Sequence, residues 1–231
     1  MQQSEDYRQE VNVLARILDP LDEAGFDTPT LFKNWTINDV IGHLYLFDVA
    51  ALESLKSDAA FQAFFAPIFA ELQKGKTLLQ AQYPWLDGLK GRALFEKWRA
   101  NAGLVADAFA ATDPKKRLKW AGPEMSALSS VTARQMETWA HGQEVFDVLG
   151  KVRVESDRIR NIAHLGVNTY GWAFANRKLP VPDPAPYVRL TGPSGAVWEW
   201  NPPQEDNAVT GDAVEFAQVV TQVRSIADTS L

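Results

Sequence analysis

The chain has 231 residues, enough for one large domain or two modest ones, each with a real core. An apolar fraction of 46% and a charged fraction of 23% are those of an ordinary globular protein and exclude a disordered chain. The net charge of −6 argues against nucleic acid as a partner, and the absence of cysteine excludes disulfides, zinc ribbons and a nucleophilic protein thiol.

The one concentration of basic residues, "DPKKRLK" at 113–119, is short and begins with an acid, so it reads as a solvated loop. The opening "MQQSEDYRQE" is polar and acidic, unlike a signal or transit peptide. No apolar run reaches the length of about 18 residues that a membrane span needs. The expected setting is therefore the cytoplasm, with no membrane partner.

In chain order, residues 4–24 carry Val11, Leu14, Leu18 and Leu21 at helical spacing, with Pro20 bending the last turn and Gly25 stopping it. "DTPTLFKNW" is a loop. Thr36 is a good N-cap, and Asp39 three residues on completes a capping-box pattern. The helix it opens places Ile37, Val40, Ile41, Leu44 and Phe47 inward, with His43 close to that stripe. Residues 57–82 are helical, with an inward face of Phe61, Phe64, Phe65, Ile68, Phe69 and Leu72, and Pro67 is a candidate break. A fourth helix over 89–111 buries Leu94, Trp98, Leu104, Val105 and Phe109. A fifth over 129–149 ends at Gly150.

The character then changes. Residues 155–174 are still helical, but residues 177–204 hold seven prolines. "YVRL" and "AVWEW" alternate about the turn signal "TGPSG", which reads as a β-hairpin. "NAVTG" is a further short strand, and Asp212 opens a last helix. The expected organisation is a helical domain over 1–152 and a small α+β domain over 153–231.

Two polar groups stand out within these apolar patterns. In "RQMETWAHGQE", Glu137 and His141 are four residues apart and project from one helix face, one turn from each other. Of only three histidines in the chain, a second, His43, lies on another helix. Helix bundles build metal sites from side chains on facing helices, and two imidazoles with one carboxylate suit a divalent ion with positions left open. Spacing alone leaves the plainer alternative standing, a surface Glu–His pair and a hydrogen-bonded core histidine.

"WTINDVIGHL", followed about 90 residues later by "ARQMETWAHGQEVFDVLG", resembles the DinB-like superfamily, in the branch that includes mycothiol-dependent maleylpyruvate isomerase. "VRLTGPSGAVWEW" resembles the second domain of the same group. The resemblance implies a mainly α fold, a DinB-like four-helix bundle followed by a small α+β domain. It also implies a divalent metal, zinc first and nickel or manganese as alternatives, held by His43, Glu137 and His141. The family often has an aspartate three residues after the second histidine. Glu144 stands there, as an acceptor behind His141 or as a solvated acid near the helix end. Arg134, one turn before Glu137, either pairs with it or is a surface arginine. Asp48 is expected solvated or paired with a cation, and His164 either lines the site or is structural. Trp35, Trp139, Trp198 and Trp200 read as packing residues. Related sequences are expected to continue past the closing "ADTSL", leaving the second domain incomplete.

The implied activity is a metal-dependent enzyme acting through a low-molecular-weight thiol such as mycothiol, of isomerase or S-transferase type, on a small molecule. Two other readings are a metal-dependent hydrolase, and a non-catalytic protein with a structural metal and a ligand-binding second domain. The second domain is similar in this respect to sterol-carrier-like folds. A monomer or homodimer is expected.

Overall fold

In a computed structural model that describes residues 1–231, the chain forms two compact units, Met1–Val152 and Arg153–Leu231. No helix is long and apolar enough to cross a membrane.

The first unit is a four-helix bundle of α1 (Gln2–Leu18), α2 (Ile37–Lys56), α5 (Gly91–Ala110) and α6 (Ala127–Val148). Two further helices, α3 (Asp58–Gln73) and α4 (Leu78–Leu86), lie in the connection from α2 to α5 and pack on α2. α1 packs against α5 and α6, and α2 against the same two, so the four helices close a ring. Its centre holds Tyr7, Leu14, Ile41, Leu44, Trp98 and Phe109, all fully buried or nearly so. A second apolar cluster joins Leu46 and Ala50 of α2 to Phe61, Phe65 and Ile68 of α3.

Local signals account for most of the boundaries. The Thr36 side chain accepts from Asp39 N–H, and the Asp39 carboxylate accepts from Thr36 N–H, so the capping box forms with Asp in its third position. α1 stops at Leu18 instead of bending through Pro20, whose ring nitrogen has no N–H to continue the ladder. Pro67, by contrast, does not break α3. It lies on the exposed side, as does Ala63 one turn earlier, where the carbonyl left without a donor meets water. The break comes instead at Gly75, in the left-handed region at φ 82°. Phe69 and Leu104 point outward, 54% and 59% exposed, because each falls off the stripe its neighbours define. Part of "DPKKRLK" pairs: β1 (Arg117–Leu118) runs antiparallel to β2 (Met125–Ser126), with Leu118 buried and Lys115 and Lys116 exposed.

In the second unit the helical stretch is divided. A 3-10 turn at Asp157–Ile159 leads into α7 (Arg160–Asn168), and α8 (Tyr170–Ala175) follows after Thr169. β3 (Tyr187–Thr191) and β4 (Val197–Trp200) form the antiparallel hairpin, closed by Gly195 at φ 84°. β5 (Ala208–Asp212) adds to the other edge of β3 in parallel. α9 (Ala213–Val220) starts at Asp212, whose carboxylate caps Val214 N–H and Glu215 N–H, and it packs on α7. The fold is therefore mainly α, a bundle with a small α+β part.

Candidate metal centre

α2 and α6 pack side by side in the ring. His43 sits two turns into α2, and Glu137 and His141 project from one face of α6 on consecutive turns. His43 Nε2 lies 3.2 Å and His141 Nε2 3.5 Å from the same oxygen, Glu137 Oε2. One ligand atom from each of the three lies within 4.8 Å of the others. The His43 and His141 side chains are 8% and 13% exposed and that of Glu137 29%, so water reaches the cluster from the carboxylate side.

The protonation states suit ligation. Burial pushes the His43 imidazole down to about 4, against the opposing pull of the Glu137 hydrogen bond, so the ring is neutral at pH 7. For Glu137, burial opposes ionisation. Hydrogen bonds from His141 and His43, with the Arg134 charge nearby, outweigh it and hold the carboxyl well below its usual range. Atoms bound to one tetrahedral ion at about 2.1 Å stand about 3.4 Å apart. The 3.2 and 3.5 Å spacings about Glu137 Oε2 fall at that value. Two imidazole nitrogens and one anionic oxygen, set on two neighbouring helices, thus fit a divalent cation.

The groups behind these three differ from the sequence reading. Arg134 is no surface arginine. It is 3% exposed, stacks on the rings of Phe47 and Trp120, and stands 3.9 Å from Asp48 instead of pairing directly with Glu137. Asp48 is not solvated. It is fully buried and accepts a 2.7 Å hydrogen bond from Tyr7 Oη. Glu144 is buried but stands outside the three-residue cluster. His164 is engaged within the second unit, where Nδ1 accepts from Trp200 Nε1 at 3.0 Å. His164 Nε2 lies 2.8 Å from the Asn168 side-chain amide.

Rings surround the imidazoles, among them Trp35, expected only as a packing residue, and Phe32, expected only in a loop. Trp35 lies parallel to His141 at 5.9 Å and edge-on to His43 at 5.5 Å. Phe32 meets His141 edge-on at 5.1 Å, and Phe47 meets His43 at 4.8 Å. Only the adjacency of "FKNW" to the Thr36 cap hinted that these rings would be carried to the start of the histidine helix.

The mycothiol maleylpyruvate isomerase N-terminal domain family has a sequence model that matches residues 7–146. The chain belongs to this family. Relatives along nearly its whole length are uncharacterized proteins from two strains of Mycobacterium tuberculosis, each 37% identical over 225 residues, covering 96% of this chain and 85% of theirs. Among solved structures, the crystal structures of mycothiol-dependent maleylpyruvate isomerase and of a histidine-to-alanine variant of it superpose with a TM-score of 0.61. They cover 95% of this chain and 87% of theirs at 16% identity, a likeness of fold spanning both units. His43, Glu137 and His141 all fall inside the matched family segment.

Proposed function

We propose that this member of the mycothiol maleylpyruvate isomerase family is a thiol-dependent metalloenzyme, with a divalent ion held by His43, Glu137 and His141. The observation that carries the reading is the convergence of two imidazole nitrogens on one carboxylate oxygen, with the carboxylate partly exposed. Zinc suits the donor set best. When bound, such an ion supplies a positive charge that holds a coordinated thiol as its nucleophilic thiolate.

The chain's own residues do the rest. Glu137 contributes the single negative charge of the donor set, His43 presents a neutral nitrogen, and His141 adds the second imidazole. Arg134 lies behind the cluster and favours the ionised form of Glu137 without consuming a donor position. Phe32 and Trp35 wall one side against water and leave the approach past Glu137 for a small electrophilic substrate. Isomerisation or S-transfer is the reaction class.

The test is a titration of the cobalt-substituted protein with mycothiol, bacillithiol or glutathione. An intense sulfur-to-cobalt band in the near ultraviolet, with release of a proton near neutral pH, is the expected result. A free thiol has a pKa of about 8.5 and a metal-bound one lies far lower. Cobalt that binds but whose spectrum no thiol perturbs at millimolar concentration rules out the thiol chemistry and favours metal-activated water.

A further inference from the structure

Metal-binding histidines ordinarily donate their second ring N–H to a carboxylate, a carbonyl or water, and that bond sets the ring's rotation. Here the second nitrogen of His43 has no such partner: Nδ1 is buried and bonded to nothing. Glu144, the residue placed to serve His141, stands outside the cluster. Rings pack against both imidazoles. His43 is flanked by Trp35, Phe47 and His141, and His141 by Phe32, Trp35 and His43. Trp35 is the one non-ligand ring in contact with both histidines, and it lies within 5° of parallel to His141.

The backbone shows how Trp35 and Phe32 are delivered together. Lys33 and Asn34 have φ of 52° and 57°, and Trp35 N–H donates to Phe32 C=O at 2.9 Å. Two central residues at positive φ under that bond make a type I′ turn, the turn that keeps its flanking residues side by side. A 2.7 Å bond from Thr30 N–H to Trp35 C=O and the bridge between Pro29 and Thr36 close it further. Phe32 and Trp35 are thus held edge to face, 5.1 Å apart, and the next residue, Thr36, caps the helix that carries His43.

We infer that Trp35 and Phe32 are positioning residues for the metal-facing imidazoles, their rings setting the rotation that hydrogen-bond acceptors set elsewhere. The inference rests on the proposed metal centre for its use, but the ring orientation is a property of the metal-free chain as well. The turn makes the arrangement one unit: the aromatic pair, the cap and His43 move together or not at all.

The experiment compares wild type with Trp35→Leu, Trp35→Phe and Phe32→Leu on three readouts: thermal melting, zinc affinity by chelator competition, and imidazole nitrogen–proton correlation spectra of the metal-free protein. Trp35→Leu is expected to weaken zinc binding about tenfold or more, the scale seen when a group orienting a metal ligand is removed. It is also expected to broaden or double the His43 and His141 ring signals. Trp35→Phe restores both in large part, since a flat ring still covers His141. Phe32 is only half-buried, so Phe32→Leu folds even if Trp35→Leu does not, and it perturbs His141 alone. A folded Trp35→Leu or Phe32→Leu protein with unchanged ring signals overturns the inference. So does a Trp35→Leu protein with unchanged zinc affinity, where the wild type binds zinc. A wild-type protein that binds no metal overturns the metal centre instead, and the ring spectra still decide the positioning role.

Discussion

Asp48 of α2 and Tyr7 of α1 are joined by a 2.7 Å hydrogen bond between two fully buried side chains. Burial pushes the Asp48 carboxyl up from 3.8 to about 6, against the lowering influence of Arg134 and of the Tyr7 hydroxyl. Because the folded value exceeds the unfolded one, the native state favours the protonated acid. Its contribution to stability is full below about pH 4 and is lost as pH rises through about 6. At 1.36 kcal/mol per unit, the whole change is roughly 3 kcal/mol. At pH 4, where Asp48 is protonated, the nearly isosteric Asp48→Asn should change stability little. Between pH 4 and pH 7.5 the wild type should lose up to that amount relative to the variant, which has no charge to bury at this position. Urea melts at the two pH values measure it, and a constant difference would refute the assignment.

Tyr7→Phe removes the hydroxyl and nothing else from a closed core. A hydrogen bond to a charged or readily charged group contributes about 1.5–3 kcal/mol, and a loss of that size is expected at pH 7.5. The loss should be smaller at pH 4, where Asp48 is neutral. Equilibrium denaturation at the same two pH values reads it.

Removal of the metal should lower the melting temperature without abolishing helicity. The bundle has an apolar core of its own, whereas metal-dependent folding belongs to small domains. Circular dichroism before and after chelation tests this. His43→Ala and His141→Ala should each lose stoichiometric metal, and Glu137→Gln should retain the helix but bind more weakly. Wild-type protein that takes up no zinc, nickel or manganese contradicts all three.

Lys33 holds a left-handed conformation that side chains with a Cβ adopt at a cost of about 1–2 kcal/mol. Lys33→Gly should therefore leave the melting temperature unchanged or raise it, part of the gain being offset by the greater freedom of glycine in the unfolded chain. Lys33→Val, β-branched at positive φ, should lower it. The pair of melts distinguishes an I′ turn from a loop indifferent to its residues, which would respond to neither change.

Thr36 and Asp39 determined where α2 begins, because a capping box is satisfied within four consecutive residues. Asp212 and the hairpin turn at Gly195 likewise marked their elements from local chemistry alone. The four-residue interval between Glu137 and His141 placed them on one face of α6 whatever the helix packed against. The path of α3 through Pro67 was not legible, since tolerance of a proline depends on whether the freed carbonyl meets water. Nor was the parallel pairing of β5 with β3, which depends on the route of the chain between them. Only the packing of α2 on α6 brought His43 to Glu137, and only contacts between separate elements buried Asp48 against Tyr7 and Arg134 against Phe47 and Trp120. Spacing along one element is a covalent property and can be read from sequence. Burial, charge pairing and ring stacking arise between elements far apart in the chain, and tertiary structure decides them.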